Sequence, residues 1–183
     1  LILLPSLANK ELHDWQDKIE KSCSEIMPVT TLVLQTSTFM EWLQGGLPFA
    51  MVTWQQAPVL YDAGNICREN IKEPKEPINR KETTKQWEDG LTKAKEFVAG
   101  SELYRIRKQH KMAAFMLHQS AEQALRTLLK VGTGYHANTH SIDRLLRFGS
   151  LVSYQLSQLF PQQTEQEKRL FNLLQKAYNR PTP

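Results

Sequence analysis

From Met112 to Leu146 the apolar positions recur every three or four residues, the period of an α-helix. Ala114, Leu117, Ala121, Ala124, Leu125 and Leu128 fall on one narrow arc, which Phe115 and Leu129 widen. The pattern predicts a core helix that ends at Lys130-Val131-Gly132-Thr133-Gly134, where glycine can take the left-handed C-cap conformation. A further helix is expected after Thr139-His140-Ser141, with Asp143 favourably placed in its first turn and Ile142, Leu145, Leu146, Val152 and Leu156 as its apolar face. Upstream, Trp87, Leu91, Ala94 and Val98 are spaced 4, 3 and 4 apart and predict a long helix from about Thr83. Gly100 weakens that helix without ending it, and the basic segment Arg105 to Lys111 turns the chain into the central helix. Pro161 breaks the next run, and Thr164-Glu165-Gln166-Glu167 has the spacing of a capping box. It opens a fourth helix carrying Leu170, Phe171, Leu174, Ala177 and Tyr178, which Pro181 and Pro183 stop. Four helices with short connections imply an up-and-down bundle.

The first sixty residues have another rhythm. Leu1 to Pro5 is continuously apolar and ends in proline, as in a strand buried on both faces. Asn9 is the expected N-cap of a helix with the stripe Leu12, Trp15, Ile19, Cys23 and Ile26, ended by Pro28. Val29 to Leu34 is β-branched and apolar, so a parallel strand, helix, strand crossover is expected. Thr38-Phe39-Met40-Glu41 has capping-box spacing, Gly45-Gly46 closes that short helix, and Pro48 suits the first position of another. Val59-Leu60-Tyr61 reads as one more short strand. Residues 62–82 carry charges and prolines without an apolar period and read as a linker. The expected division is an α/β segment at 1–61, a linker at 62–82 and a helical bundle at 83–183. The chain opens on Leu1 within an apolar run, so its beginning is expected to lie upstream.

Composition narrows the classes. No apolar run approaches the ~20 residues that a membrane-crossing helix needs. Cys23 and Cys67 lie far apart without clustered Cys or His companions, which suggests neither a zinc site nor a disulfide framework and makes a reducing cytoplasm the default setting. The net charge of +4 is unevenly divided, with 8 basic against 11 acidic side chains in residues 1–82 and 15 against 8 in residues 83–183. The basic second half is therefore the candidate nucleic-acid binder.

Three features of that half occur in a telling order: AAFMLHQSAEQALRTLL, then THSIDRLL after a short loop, then a helix ending in KAYNR. Together they resemble the HEPN family (higher eukaryotes and prokaryotes nucleotide-binding domain) over about residues 83–180. The resemblance implies a mainly α fold in which a four-helix up-and-down bundle binds nucleotide or RNA and pairs as a homodimer. The N-terminal segment is similar to the back half of a minimal nucleotidyltransferase of the DNA polymerase β type, a domain often fused to or paired with HEPN bundles. LILLP resembles the strand carrying that family's Asp-x-Asp pair, and PVTTLVL and VLYDAG are similar to that family's later segments. On that alignment the glycine-serine motif and the Asp-x-Asp pair precede Leu1, and magnesium is expected only if they are present there. Val29 to Gln35 contains no carboxylate to serve as a further metal ligand, so the segment reads as degenerate or truncated. The fusion suggests a system of the toxin–antitoxin type.

Many HEPN proteins are ribonucleases that use Arg followed four to six residues later by His. Arg180 is the matching arginine, and no histidine comes after it before Pro183. Arg105 and His110 have the spacing but lie in the turn before the central helix, where a solvated basic turn is expected. His118 and Glu122, one turn apart in the central helix, are placed to form a hydrogen-bonded network or face a cleft. Gln119 and Arg126 lie on the neighbouring polar face, facing a nucleotide or solvent, His140 orders the loop before the third helix, and His136 is exposed. The candidate nucleotide- or RNA-binding residues are thus His118, Gln119, Glu122, Arg126 and Arg180, with Arg180 also the one catalytic candidate and no metal ligand. An active nucleotidyltransferase or metal-independent ribonuclease completed outside this sequence is the enzymatic alternative, and a non-catalytic interaction module is the other.

Overall fold

The computed structural model describes residues 1–8, 11–64 and 80–179, and the chain divides into two units, Leu1–Ile78 and Asn79–Pro183. In the first unit the order is β1 (Ile2–Leu4), α1 (Leu12–Cys23), β2 (Val33–Gln35), α2 (Thr36–Gln44) and α3 (Pro48–Gln56). The two strands pair in parallel, with Ile2 opposite Val33 and Leu4 opposite Gln35, so the expected crossover forms. Burial differs from the expectation: Val33 and Leu34 of β2 are buried, whereas β1 is only half-buried. β2 is also shorter than Val29 to Leu34. The backbone N–H and hydroxyl of Thr31 both donate to Glu20 Oε1, at 2.9 and 3.1 Å, which takes that residue's donor away from a ladder.

Several N-terminal boundaries move. Asn9 lies outside the described residues, and α1 is capped instead at Glu11, whose N–H donates to Asp14 Oδ2 at 3.1 Å. The helix stops at Cys23, leaving Ile26 91% exposed. α2 starts at Thr36, directly after β2, so Thr38 and Glu41 lie inside the helix and form no capping box. Gly45 and Gly46 end it and Pro48 opens α3, as the sequence implied. Val59 to Tyr61 forms no strand. It pairs with neither β1 nor β2, and Leu60 is 94% exposed, since a lone three-residue strand has no partner to satisfy its backbone.

The second unit is helical throughout its described residues: α4 (Arg80–Ile106), α5 (His110–Thr133), α6 (Ile142–Gly149), a 3₁₀ turn at Tyr154–Gln158, α7 (Glu165–Lys176) and a closing 3₁₀ turn at Ala177–Asn179. Most of the linker, with Cys67, lies outside the described residues, and α4 begins at Arg80. Gly134, at φ 76°, takes the left-handed cap of α5. Thr164 and Glu167 form the expected capping box, with the Glu167 N–H donating to the Thr164 hydroxyl at 3.2 Å and the Thr164 N–H donating to Glu167 Oε2 at 2.9 Å. The third helix ends early, at Gly149. Its last carbonyls turn to Ser150, Leu151 and Val152 in a tightened turn, leaving Val152 exposed and Leu156 half-buried on the 3₁₀ turn.

The long hairpin of α4 and α5 does not close on its most hydrophobic residues. Its interior is a seam of small ones: Gly90, Ala94 and Ser101 on α4 and Ala113, Ser120 and Thr127 on α5 are buried. The Ser120 hydroxyl donates across the seam to the Ala94 carbonyl at 2.8 Å. Trp87, Leu91 and Val98 are therefore rotated to the flank and are exposed. The same shift applies to α5, where Leu125 is 3% exposed but Leu117 is 45% exposed and Ala114, Ala121, Ala124 and Leu128 are half-buried. In an antiparallel pair the two flanks lie on the same side of the hairpin.

Close approach makes the seam intolerant of added volume. A Cβ on Gly90 would overlap the Thr127 side chain, 2.8 Å from Thr127 Cβ itself, so rotation of Thr127 alone gives no room. Gly90→Ala is expected to destabilise the protein by about 1–3 kcal/mol despite alanine's higher helix propensity. Thr127→Ala in the same chain should recover part of that loss, as read by chemical denaturation of both variants.

Candidate functional site

On the side of α5 opposite the seam, His118, Glu122, Leu125 and Leu129 are buried. A carboxylate there must be paired, because an isolated buried charge is costly. Glu122 has three partners. Its Oε1 accepts from His140 Nδ1 at 3.0 Å and lies 3.2 Å from Arg126 Nη1, and its Oε2 faces His118 Nε2 at 3.5 Å without the alignment of a good hydrogen bond. Arg126 also donates through Nη2 to the Thr139 carbonyl at 3.0 Å, so both ends of the guanidinium fork are used.

The cluster reaches α7 by two routes. The other nitrogen of His118, Nδ1, lies 2.9 Å from the Leu174 carbonyl. The Tyr178 ring stacks on His140 at 4.2 Å with 14° between planes and lies 5.5 Å from the His118 ring. Gln175 adds a third tie to the start of α6, accepting from the Asp143 N–H at 3.2 Å and donating to Ser141 Oγ at 3.1 Å. One carboxylate therefore joins the central helix, the loop ahead of α6 and the end of α7.

Titration reflects this geometry. Burial works against charging His118, but both ring nitrogens face acceptors, and the Glu122 carboxylate and Leu174 carbonyl together raise its pKa above the ordinary 6.5. Burial likewise opposes ionising Glu122, and His118, Arg126 and His140 outweigh it and hold the carboxyl below its ordinary 4.5. The two linkages run in opposite directions. The His118 contribution to stability is complete below pH 6.5 and is lost as pH rises through the raised value. The Glu122 contribution is complete above pH 4.5 and is lost as pH falls through the lowered one.

Of the expected site residues, the structure brings His118, Glu122 and Arg126 together. Gln119 is half-buried and takes no part in the network, and Arg180 lies outside the described residues. His140 was expected to order its loop; it also contacts both Glu122 and Tyr178. Sequence reasoning missed Tyr178 and Gln175 as site residues. Tyr178 sits in the apolar series of the fourth helix, and its pairing with a histidine 38 positions earlier leaves no local signal. Arg105 lies in the last turn of α4, paired with Glu102 at 2.9 Å, and His110 is the exposed first residue of α5, so both are solvated but sit on the helix ends rather than in the turn expected for them. Among the described residues no group of three or more His, Cys, Asp or Glu side chains is arranged to hold a metal ion, and no helix is long and apolar enough to cross a membrane.

Stability should report both linkages. The contribution of this pair, read as the difference in melting temperature between wild type and Glu122→Gln by circular dichroism, should be largest between pH 4.5 and 6.5 and shrink on both sides. Glu122→Gln, which leaves His118 and Arg126 without their counter-charge, should cost about 3 kcal/mol and flatten the profile.

The sequence profile described as the HEPN domain matches residues 87–181. No curated protein and no solved structure matches the chain. The matched segment covers more than half of the sequence and coincides with the helical unit that carries the Glu122 cluster, and the chain belongs to the HEPN family.

Proposed function

We propose that the helical unit binds RNA or a nucleotide at the surface around His140, Arg126 and Tyr178, and that it does so in the cytoplasm as a homodimer. The observation that carries this reading is the shared carboxylate. Glu122 is buried, yet its partners His140 and Arg126 keep 46% and 32% of their side-chain surface exposed, next to the Tyr178 ring. A guanidinium and an imidazole edge beside an aromatic ring are groups that a phosphate and a base can engage together. The basic excess of residues 83–183 supplies the attraction over longer range, and Arg180 comes two positions after Tyr178 in the sequence.

The apolar flank of the hairpin supports the dimer. Trp87, Leu91 and Val98 on α4 and Leu117 on α5 are exposed on one side of a well-packed seam, a surface suited to a second copy. The N-terminal unit is read as a degenerate nucleotidyltransferase-like segment. Its parallel crossover supports the likeness, and its β2, Val33-Leu34-Gln35, brings no carboxylate for a metal.

Binding is tested by fluorescence anisotropy with a labelled single-stranded RNA at low salt. Affinity should fall steeply with added salt, and Arg180→Ala should weaken binding and reduce the log–log salt slope by about 1. RNA that does not bind even at low salt would sink the proposal. Sedimentation velocity should show a dimer that Leu91→Glu combined with Leu117→Glu converts to a folded monomer.

A further inference from the structure

The N-terminal unit holds a cavity of about 560 Å³ between β1, α2, α3 and the segment that follows α3, within the range usual for small-molecule sites. Ile2 and Leu3 of β1, Phe39 of α2 and Trp54 of α3 line it, and the Phe39 and Trp54 rings lie 6.2 Å apart. Val59, Leu60 and Tyr61 form a further part of the wall. These three have the composition of a strand yet pair with neither β1 nor β2, and they are 48%, 94% and 86% exposed. Three large apolar side chains left in water beside an apolar cavity make a surface that a bound molecule would cover.

The polar groups of the cavity are few. Among the residues that line it there is no Lys, Arg or His, and the one charged side chain is that of Asp62. Its Oδ1 accepts the Gly64 N–H at 2.8 Å, and among the described residues no basic group forms an ion pair with the carboxylate. The half-buried hydroxyls of Thr36 and Thr53 also line the cavity and make no hydrogen bond to a described residue. The same sign extends around it, with 3 basic against 7 acidic side chains in residues 1–64. Such a field attracts cations and repels anions. The Leu1 amino group is the other ionisable group at this wall, and burial holds it below its ordinary 8.0.

We propose that this cavity binds a small aromatic amine, with its ring system among the apolar side chains that include Trp54 and Tyr61 and its ammonium group beside Asp62. The ring buries apolar surface that is otherwise wet. The ammonium meets a carboxylate that has no cation of its own, next to aromatic rings that favour positive charge, and the two threonine hydroxyls accept its remaining N–H groups. A nucleoside triphosphate has a comparable ring but the opposite charge, and the cavity offers its phosphates no cationic side chain. The assignment is independent of RNA binding by the helical unit.

The test titrates the full chain with tryptamine by calorimetry, with indole-3-propionate as the anion of matched shape and ATP as the nucleotide. At about pH 8.5 the Leu1 amino group is largely uncharged, while an alkylammonium like that of lysine keeps its proton, so Asp62 is left as the charge at the site. Tryptamine should bind with a Kd below about 1 mM, and neither anion should bind measurably. Asp62→Asn keeps an oxygen to accept the Gly64 N–H, so the loop is preserved, and it should weaken tryptamine about fivefold, the upper range for a pair open to solvent. Glu25→Gln, which removes an exposed charge of the same unit away from the cavity, should leave the affinity unchanged. Tryptamine that fails to bind, or binds no more tightly than indole-3-propionate or ATP, overturns the inference. An Asp62→Asn variant with wild-type affinity, or a Glu25→Gln variant weakened as much as Asp62→Asn, overturns it too. None of these results bears on whether the helical unit binds RNA.

Discussion

A single ionised carboxylate, Glu122, is buried among helices, and the helical unit is arranged so that it is never alone. Desolvating a carboxylate costs several kcal/mol, and only close partners with opposite charge or donated protons offset that. Here the partners come from three places in the chain: Arg126 and His118 from successive turns of one helix, and His140 from the loop before α6. Because His118 also binds the Leu174 carbonyl and His140 also stacks on Tyr178, satisfying the charge and docking α7 become one event. Apolar packing alone would allow α7 to slide by a turn. The directional contacts admit one register, since both imidazoles must reach their partners at once.

The opposite side of α5 works by shape rather than charge. Ser120, Thr127 and Ala113 meet Gly90, Ala94 and Ser101, and the Ser120 hydroxyl reaches a backbone carbonyl that a bulkier seam would hold out of range. Two long helices in such close contact form a stiff platform, because at Gly90 an added methyl group meets the Thr127 side chain already there. A consequence is that the larger side chains, Trp87, Leu91, Val98 and Leu117, are left on the flank. α5 thus carries three separable duties on three arcs: a tight seam, a polar junction and an apolar flank.

The sequence disclosed the elements better than their faces. Helix existence, the Gly134 cap and the Thr164 to Glu167 box were all legible, because each depends on residues within one turn of one another. The orientation of α4 was not. Trp87, Leu91, Ala94 and Val98 have helical spacing and high hydropathy, and a rule that buries the most apolar stripe must choose them, whereas the seam selects for small size. In the N-terminal unit, Val59 to Tyr61 has the composition of a strand, but a strand exists only where an edge receives it. His118 and Glu122 could be paired by their i, i+4 spacing. His140 and Tyr178 could not be joined to them, because stacking across dozens of residues has no period to read.

The arrangement also explains why the two histidines of the cluster cannot exchange roles. His118 is fully enclosed and sits between a carboxylate and a carbonyl, so the charged ring, with two donors, is the form that fits. His140 meets the same carboxylate through Nδ1 and keeps about half of its side chain exposed. Glu122 therefore meets one imidazole inside the unit, where that ring also secures α7, and a second at the rim without enclosing it. The two rings thus fix the same junction from two sides, His118 through the backbone of α7 and His140 through the face of Tyr178, and neither could be moved to the other's position without leaving one of those ties unmade.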